Sequence, residues 1–336
     1  DSRGIYSARA AVAHYYQAKG LTKTTPNDVF LGNGVSELIM LVLQSLLDNG
    51  DEVLVPAPDY PLWTGAVTLC GGTAVHYRCD ENNGWSPDLE EIEASITPRT
   101  RALVLINPNN PTGAVYSEET VRGLADIARR HELVLLSDEI YEKIIFDDAV
   151  HHHTATFAGD DVLCLTFSGL SKAYRACGYR AGWVMISGPK HMATSFLEGL
   201  TLLANMRMCS NVPGQHAIQM ALGGYQSINE LVVPGGRFYE QAKLASELLN
   251  EIPGVSCVAP KGALYCFPRL DPEVYQIDDD ESFVIELLRA KKILVTHGTG
   301  FNWPEPDHFR LVTLPDEDVL TEGIGRIAEF LATWRS

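Results

Sequence analysis

From residue 7 to about residue 204, short apolar runs rich in β-branched residues alternate with stretches whose apolar residues recur every three or four positions. The runs at 29–31, 52–55, 74–77, 102–106, 133–136, 162–167 and 182–186 predict strands, and the periodic stretches 35–47, 89–96 and 118–131 predict helices. The chain also enters a helix almost at its first residues. Strands alternating with helices in this way predict an α/β domain with a mainly parallel sheet flanked by helices.

The texture changes after the two glycines that follow Pro234. A helical pattern at 237–251 leads into strands at 255–258, 264–267, 293–295 and 309–312, mixed with helices at 282–291 and 320–333. This predicts a smaller α+β domain over 236–336, after a large domain over 1–235. There is no internal repeat and no low-complexity segment.

Composition narrows the class. The 336 residues are enough for about two domains, and 46% hydrophobic with 21% charged residues is ordinary globular usage. Lysine and arginine total 26 against 43 acidic residues, a formal charge of −17, which repels polyanions and argues against a nucleic-acid partner. It leaves room for an anionic small molecule held by a few buried arginines. The seven cysteines are odd in number and contain no C-x-x-C pair, so neither a disulfide framework nor a zinc site is expected and a reducing cytoplasm fits. No apolar run approaches the ~18 residues of a membrane span. The opening Asp1-Ser2-Arg3-Gly4 lacks a methionine, so an N-terminally trimmed chain is expected.

Four segments could carry chemistry, each following a predicted strand. Gly32-Asn33-Gly34-Val35-Ser36-Glu37 is a glycine turn entering a helix, where backbone N–H groups bind phosphate. Glu37 stands where a dinucleotide fingerprint has its third glycine, which argues against a nicotinamide cofactor. Asn107-Pro108-Asn109-Asn110-Pro111 has two X-Pro steps that force extended or turn backbone at a strand's carboxyl end, where open α/β sheets bind ligands. Ser137-Asp138-Glu139-Ile140-Tyr141 carries Asp138 to the rim of a buried sheet, where a carboxylate needs a positive partner, and only Lys143 lies close in sequence. In Ser168-Gly169-Leu170-Ser171-Lys172, a lysine between small-residue turns can be partly desolvated and made nucleophilic.

Taken together and in this order, the four segments resemble the fold type I pyridoxal-phosphate aminotransferases, class I/II, and among them the bacterial glutamate–pyruvate (alanine) aminotransferases. The resemblance extends through Pro56-Ala57-Pro58-Asp59-Tyr60-Pro61-Leu62-Trp63, Gly262-Ala263-Leu264-Tyr265, Phe301-Asn302-Trp303-Pro304 and His308-Phe309-Arg310-Leu311. It implies that Lys172 is the Schiff-base lysine for pyridoxal 5'-phosphate and shuttles the substrate α-proton. Asp138 then faces the pyridine nitrogen, Tyr141 and Asn110 donate to the ring's phenolic oxygen, and Tyr60 stacks on the ring. Gly34, Val35 and Ser36 cradle the phosphate with Arg180, while Arg310, together with Asn110, holds the substrate α-carboxylate. The implied partners are amino acids, 2-oxo acids and a second copy of the chain in a homodimer; the implied reaction is L-alanine plus 2-oxoglutarate to pyruvate plus L-glutamate.

Two departures accompany the resemblance. Where the family often has a hydroxyl three residues before its lysine, this chain has Gly169, so Ser171, or else Ser168, is expected to reach the phosphate. The family's N-terminal glycine-bearing loop and its tyrosine that reaches the partner subunit are expected upstream of Asp1, and Tyr6 does not take that role. Other readings stay open: a β-elimination or a different amino donor on the same cofactor, or a non-catalytic ligand-binding domain of the same fold. His151-His152-His153 reads as a solvated loop because adjacent histidines point in different directions, and Asp278-Asp279-Asp280-Glu281 reads as a helix start with surface charge. No G-x-S-x-G surrounds Ser168 or Ser171, so an esterase-type nucleophile is not supported.

Overall fold

The computed structural model describes residues 1–334. Its main sheet has eight strands: β1 (Val29–Gly32), β2 (Glu52–Ala57), β3 (Thr73–Asp80), β4 (Ser86–Pro87), β5 (Thr100–Ile106), β6 (Val134–Asp138), β7 (Cys164–Gly169) and β8 (Gly182–Ser187). They lie in the order β1-β8-β7-β6-β5-β2-β3-β4. The five central strands are parallel, while β8 pairs antiparallel with both β7 and β1.

Alternation along each strand feeds two separate cores. Leu54, Leu103, Leu105, Leu135 and Cys164 point to one face, and Val53, Val55, Val104, Leu136, Leu165 and Phe167 to the other. Helices α1 (Tyr6–Ala18), α5 (Glu118–Arg130) and α6 (Thr154–Ala158) cover the first face, with α4 (Leu89–Ala94) beside them, and α2 (Val35–Leu46), α3 (Leu62–Leu69) and α7 (Thr194–Arg207) cover the second. Helix α5 illustrates how sequence sets these boundaries. Ser117 caps its start by accepting from Thr120 N, Glu118 and Glu119 sit at the positive end, Arg129 and Arg130 at the negative end, and Val121, Leu124, Ala125 and Ala128 form the buried stripe.

Helices α8 (Val212–Gly223), α9 (Ile228–Leu231) and α10 (Arg237–Asn250) lead to a region with its own core, built from Leu249, Tyr275, Phe283, Leu287, Phe309, Ile327 and Leu331. Its strands are β9 (Val255–Ser256), β10 (Tyr265–Cys266), β11 (Arg269–Leu270), β12 (Thr296–His297) and β13 (Phe309–Val312), flanked by α11 (Asp280–Lys291) and α12 (Glu317–Trp334). Strand β13 lies between β10 and β12, with Arg310 opposite Thr296. The strand expected at 293–295 forms instead at Thr296–His297, because pairing with Arg310 and Phe309 selects the register; Val295 still packs into the core. The acidic run departs from a purely surface reading: Asp279 caps α11, but Asp280 is buried and accepts from Thr299 N and Oγ1. No helix among the described residues is long and apolar enough to cross a membrane.

Candidate active site

Parallel pairing brings the carboxyl ends of β5, β6 and β7 to one edge. Register places Ile106 beside Asp138 and Asp138 beside Phe167, so the Asn-Pro loop, the acidic strand end and the lysine turn leave the sheet side by side. Strand β1 ends at the same edge, since Gly32 pairs with Gly182 and Gly182 with Gly169. A Cβ at Gly182 would stand 2.8 Å from Val35 N, so this bare row lets the start of α2 press against the sheet.

The edge encloses a cavity of about 350 Å³ lined by Val35, Ser36, Tyr60, Asn110, Asp138, Tyr141, Ser171, Lys172, Arg180 and Arg310. Ten of the eleven expected site residues therefore meet there, although they are spread along the sequence from Val35 to Arg310. The eleventh, Gly34, stands at the N-cap of α2 with φ +88°, and a Cβ on it would lie 2.3 Å from Arg180 Nη2. Only glycine meets both conditions. Arg180 itself donates to the Cys177 carbonyl at 2.8 Å and the Asn33 carbonyl at 3.2 Å, which holds its guanidinium over the helix start. A larger cleft of about 570 Å³, beside Phe146, Tyr239 and Lys243, lacks such a convergence.

At the cavity floor the Asp138 carboxylate accepts from Trp63 Nε1 and Ile140 N, each at 3.3 Å, and forms no ion pair among the described residues. Burial pushes its pKa up to about 6 against those two hydrogen bonds and the more distant charge of Lys172. Lys143 does not supply the missing cation: its Nζ donates to Tyr174 Oη and Gln226 Oε1. Lys172 Nζ stands 5.4 Å over the Tyr141 ring, with no hydrogen bond among the described residues. Tyr141 and Tyr265 share a 2.6 Å hydrogen bond between hydroxyls, and burial followed by the Tyr265 hydroxyl raises the Tyr141 pKa well above its ordinary value.

Arg310 reaches the cavity from the second core because its neighbours Phe309 and Leu311 face that core, leaving the intervening side chain on the opposite face of β13. Its guanidinium is stacked 4.6 Å from the rings of both Tyr265 and Phe301 and donates to Asn110 Oδ1 at 3.1 Å, while Nε is buried without a hydrogen-bond partner. A planar fork fixed in this way suits a carboxylate.

A family model, "Aminotransferase class I and II", matches residues 1–327. The chain belongs to the class I and II aminotransferases. It is 63% identical over 336 residues to a Mycobacterium tuberculosis protein named alanine aminotransferase, covering 100% of this chain and 78% of that protein. It is 57% identical over 332 residues to the Escherichia coli glutamate-pyruvate aminotransferase AlaA, covering 99% of this chain and 82% of that one. A crystal structure of an aminotransferase from Escherichia coli superposes with a TM-score of 0.98 at 56% identity, covering 100% of this chain and 83% of its own.

The structure separates the two serines near Lys172 and gives the reason for Gly169. At Gly169 a Cβ would lie 2.9 Å from both Ala181 O and Gly182 Cα, so the closeness of β8 leaves no room for a hydroxyl-bearing residue. Ser168 is turned away from the cavity: it is buried, and its hydroxyl donates to Glu142 Oε1 at 3.5 Å. Ser171 is the serine that lines the cavity. Glu37, at the broken fingerprint, accepts from Asn33 N and Nδ2 at 2.8 Å each and pairs with Arg207.

The histidine run is not a solvated loop. His151 Nε2 and His153 Nδ1 lie 3.1 and 2.7 Å from Glu139 Oε2, and both rings are largely buried. Adjacent side chains do diverge, but residues two apart in extended backbone point the same way. Burial is the largest influence on Glu139 and opposes its charge; the two imidazoles together outweigh it and hold the carboxyl below its ordinary range.

Trp63, Tyr265 and Asp59 also support the site. All three lie in segments that carry the family resemblance, yet nothing local marks Trp63 and Tyr265 as partners of Asp138 and Tyr141. Asp59 accepts from Asn302 Nδ2 at 2.7 Å and Thr64 Oγ1 at 2.8 Å, and Phe301 O accepts from Asp59 N at 2.9 Å. These bonds tie the turn bearing Tyr60 to the segment that stacks on Arg310.

Proposed function

We propose that this chain is a pyridoxal-phosphate transaminase that moves an amino group from L-alanine to 2-oxoglutarate, giving pyruvate and L-glutamate. The observation that carries the cofactor reading is Asp138: a fully buried carboxylate without a cation, at the floor of a cavity whose other groups are an amine and two guanidinium groups. A cofactor with a protonated ring nitrogen fits that vacancy of charge, and its phosphate fits the start of α2 beside Arg180. When bound, pyridoxal phosphate supplies an electron sink for the pair released as the substrate α C–H bond breaks.

The chain's residues divide the remaining work. Lys172 Nζ would hold the cofactor through its carbonyl carbon, and the same amine would carry the proton from the substrate α-carbon. Asp138 would face the ring nitrogen and favour its protonated form. Tyr141, held by Tyr265, and Asn110 donate to the ring's phenolic oxygen, and Tyr60 covers the ring face. Gly34, Val35, Ser36, Ser171 and Arg180 hold the phosphate. Arg310 and Asn110 would fix the substrate carboxylate and so orient the α C–H bond for proton transfer to Lys172.

The large domain then spans 1–235 and the small domain 236–336, with the active site between their cores. A homodimer is supported by the apolar side chains exposed along and beyond α7, Leu202, Met206 and Met208. The seven free thiols suit a cytoplasmic location.

Borohydride reduction of the holoenzyme followed by peptide mapping tests the cofactor assignment: the label should fall on Lys172, and label on another lysine sinks it. Incubation with alanine and 2-oxoglutarate should yield pyruvate and glutamate in equal amounts. Pyruvate accompanied by free ammonia would instead identify an elimination.

A further inference from the structure

On the face of the sheet opposite the cavity, Glu139, Glu142, His151 and His153 converge: one ligand-type atom from each lies within 4.8 Å of all the others. Both carboxylates are oriented by the chain. Glu139 Oε1 accepts from Ser137 Oγ and Thr154 N, each at 3.0 Å, and Glu142 Oε1 accepts from Ser168 Oγ at 3.5 Å, so each carboxylate turns its Oε2 towards the imidazoles. Outer oxygens anchored by hydroxyl and backbone donors, with inner oxygens left to a common point, are how carboxylate ligands of a metal are held.

Two atoms of the cluster lack what burial demands. Glu142 is only 9% exposed and its Oε2 has no hydrogen-bond partner, and neither has His151 Nδ1. Among the described residues, neither carboxylate forms an ion pair with a lysine or arginine. The two carboxylates together bring two negative charges into this buried cluster. A divalent cation balances the same charge through lone pairs.

We propose that Glu139, Glu142, His151 and His153 form a structural binding site for a zinc-class divalent cation. Two imidazoles and two carboxylates complete a four-coordinate N₂O₂ set, closed to substrate, of the type that borderline first-row ions prefer. Tetrahedral bonds of ~2.0–2.2 Å put ligand atoms about 3.4 Å apart. The four ligand-type atoms, one from each side chain, already lie within 4.8 Å of one another, so small side-chain shifts reach that spacing. The ion would fasten the turn after β6, which carries Asp138 and Tyr141 on its other side, to the segment entering α6.

The test uses tag-free holoenzyme stripped with a chelator and titrated calorimetrically with Zn²⁺, and in parallel with Co²⁺ followed by visible absorption. We expect one equivalent bound, a tetrahedral cobalt d–d band without thiolate charge transfer, and affinity at least ~10-fold weaker in Glu142→Gln and in His153→Ala. Glu142→Gln preserves shape, so it decides the matter if His153→Ala fails to fold. Absence of binding, a thiolate signature from exposed Cys177 or Cys209, or affinity unchanged in Glu142→Gln would each overturn the site.

Discussion

Asp138 and Glu139 are neighbours in sequence and opposites in circumstance. Both are carboxylates buried at the end of the same strand, yet burial pushes Asp138 up to about 6 whereas Glu139 is held below its ordinary range. The difference is one of parity. Position 138 shares a face with Leu136 and meets Trp63 and the cavity, and position 139 shares a face with Leu135 and meets the histidines and Thr154. On one face no cation among the described residues pairs with the carboxylate. On the other the chain sets two imidazoles, a hydroxyl and a backbone N–H around the carboxylate. A binding site can thus be recognised as a place where the fold leaves a charge without a partner.

The sharpest way to break this comparison is to remove the chemistry from one face. Lys172→Ala should lower transamination by ~10³-fold or more while the unfolding midpoint stays within a few degrees. A variant that retains most of its turnover in a coupled pyruvate assay would refute the assignment of Lys172.

Neutral isosteres then separate the two carboxylates by sign. Asp138→Asn should cost about a hundredfold in turnover, yet leave the cofactor-free protein ~1 kcal/mol more stable in urea, because removing a buried charge outweighs the loss of one hydrogen-bond acceptor. Glu139→Gln should instead lose ~2 kcal/mol, since it leaves buried imidazole and backbone donors with a weaker acceptor. Equal and like-signed changes in urea unfolding would erase the distinction between the faces.

Asp59 offers a milder version of Asp138. Burial raises its pKa from 3.8 to about 6 against hydrogen bonds from Asn302 and Thr64. The folded state therefore binds this proton more tightly than the unfolded state, and the contribution, complete below pH ~4, is lost as pH rises through ~6. The stability difference between wild type and Asp59→Asn, followed by urea unfolding from pH 4 to 7, should shift by ~2 kcal/mol in favour of the variant. A flat difference would mean that Asp59 titrates as it does in the unfolded chain. The smallest effect is expected for Asn302→Ala: a stability loss of ~1 kcal/mol and a several-fold rise in KM for alanine with kcat nearly unchanged, read from steady-state kinetics.

The elements that the sequence announced most clearly were those whose information is local. Alternating buried runs and capped, periodic helices marked β5, β6 and α5 to within a few residues, and the polar segments that follow the strands, from Gly34 to Lys172, identified the family before any contact was known. Helix and strand are decided by spacing over a few residues, and motif order is written directly in the chain. What tertiary structure alone decided was partnership across distance. It chose the register that moved a strand from 293–295 to Thr296–His297, brought Tyr265 to Tyr141 across 124 positions, and set Trp63 under Asp138. It also folded the segment before α6 back so that His151 and His153 meet Glu139. Such contacts depend on how layers pack and on which face each side chain emerges from, and no stretch of a few residues contains that information.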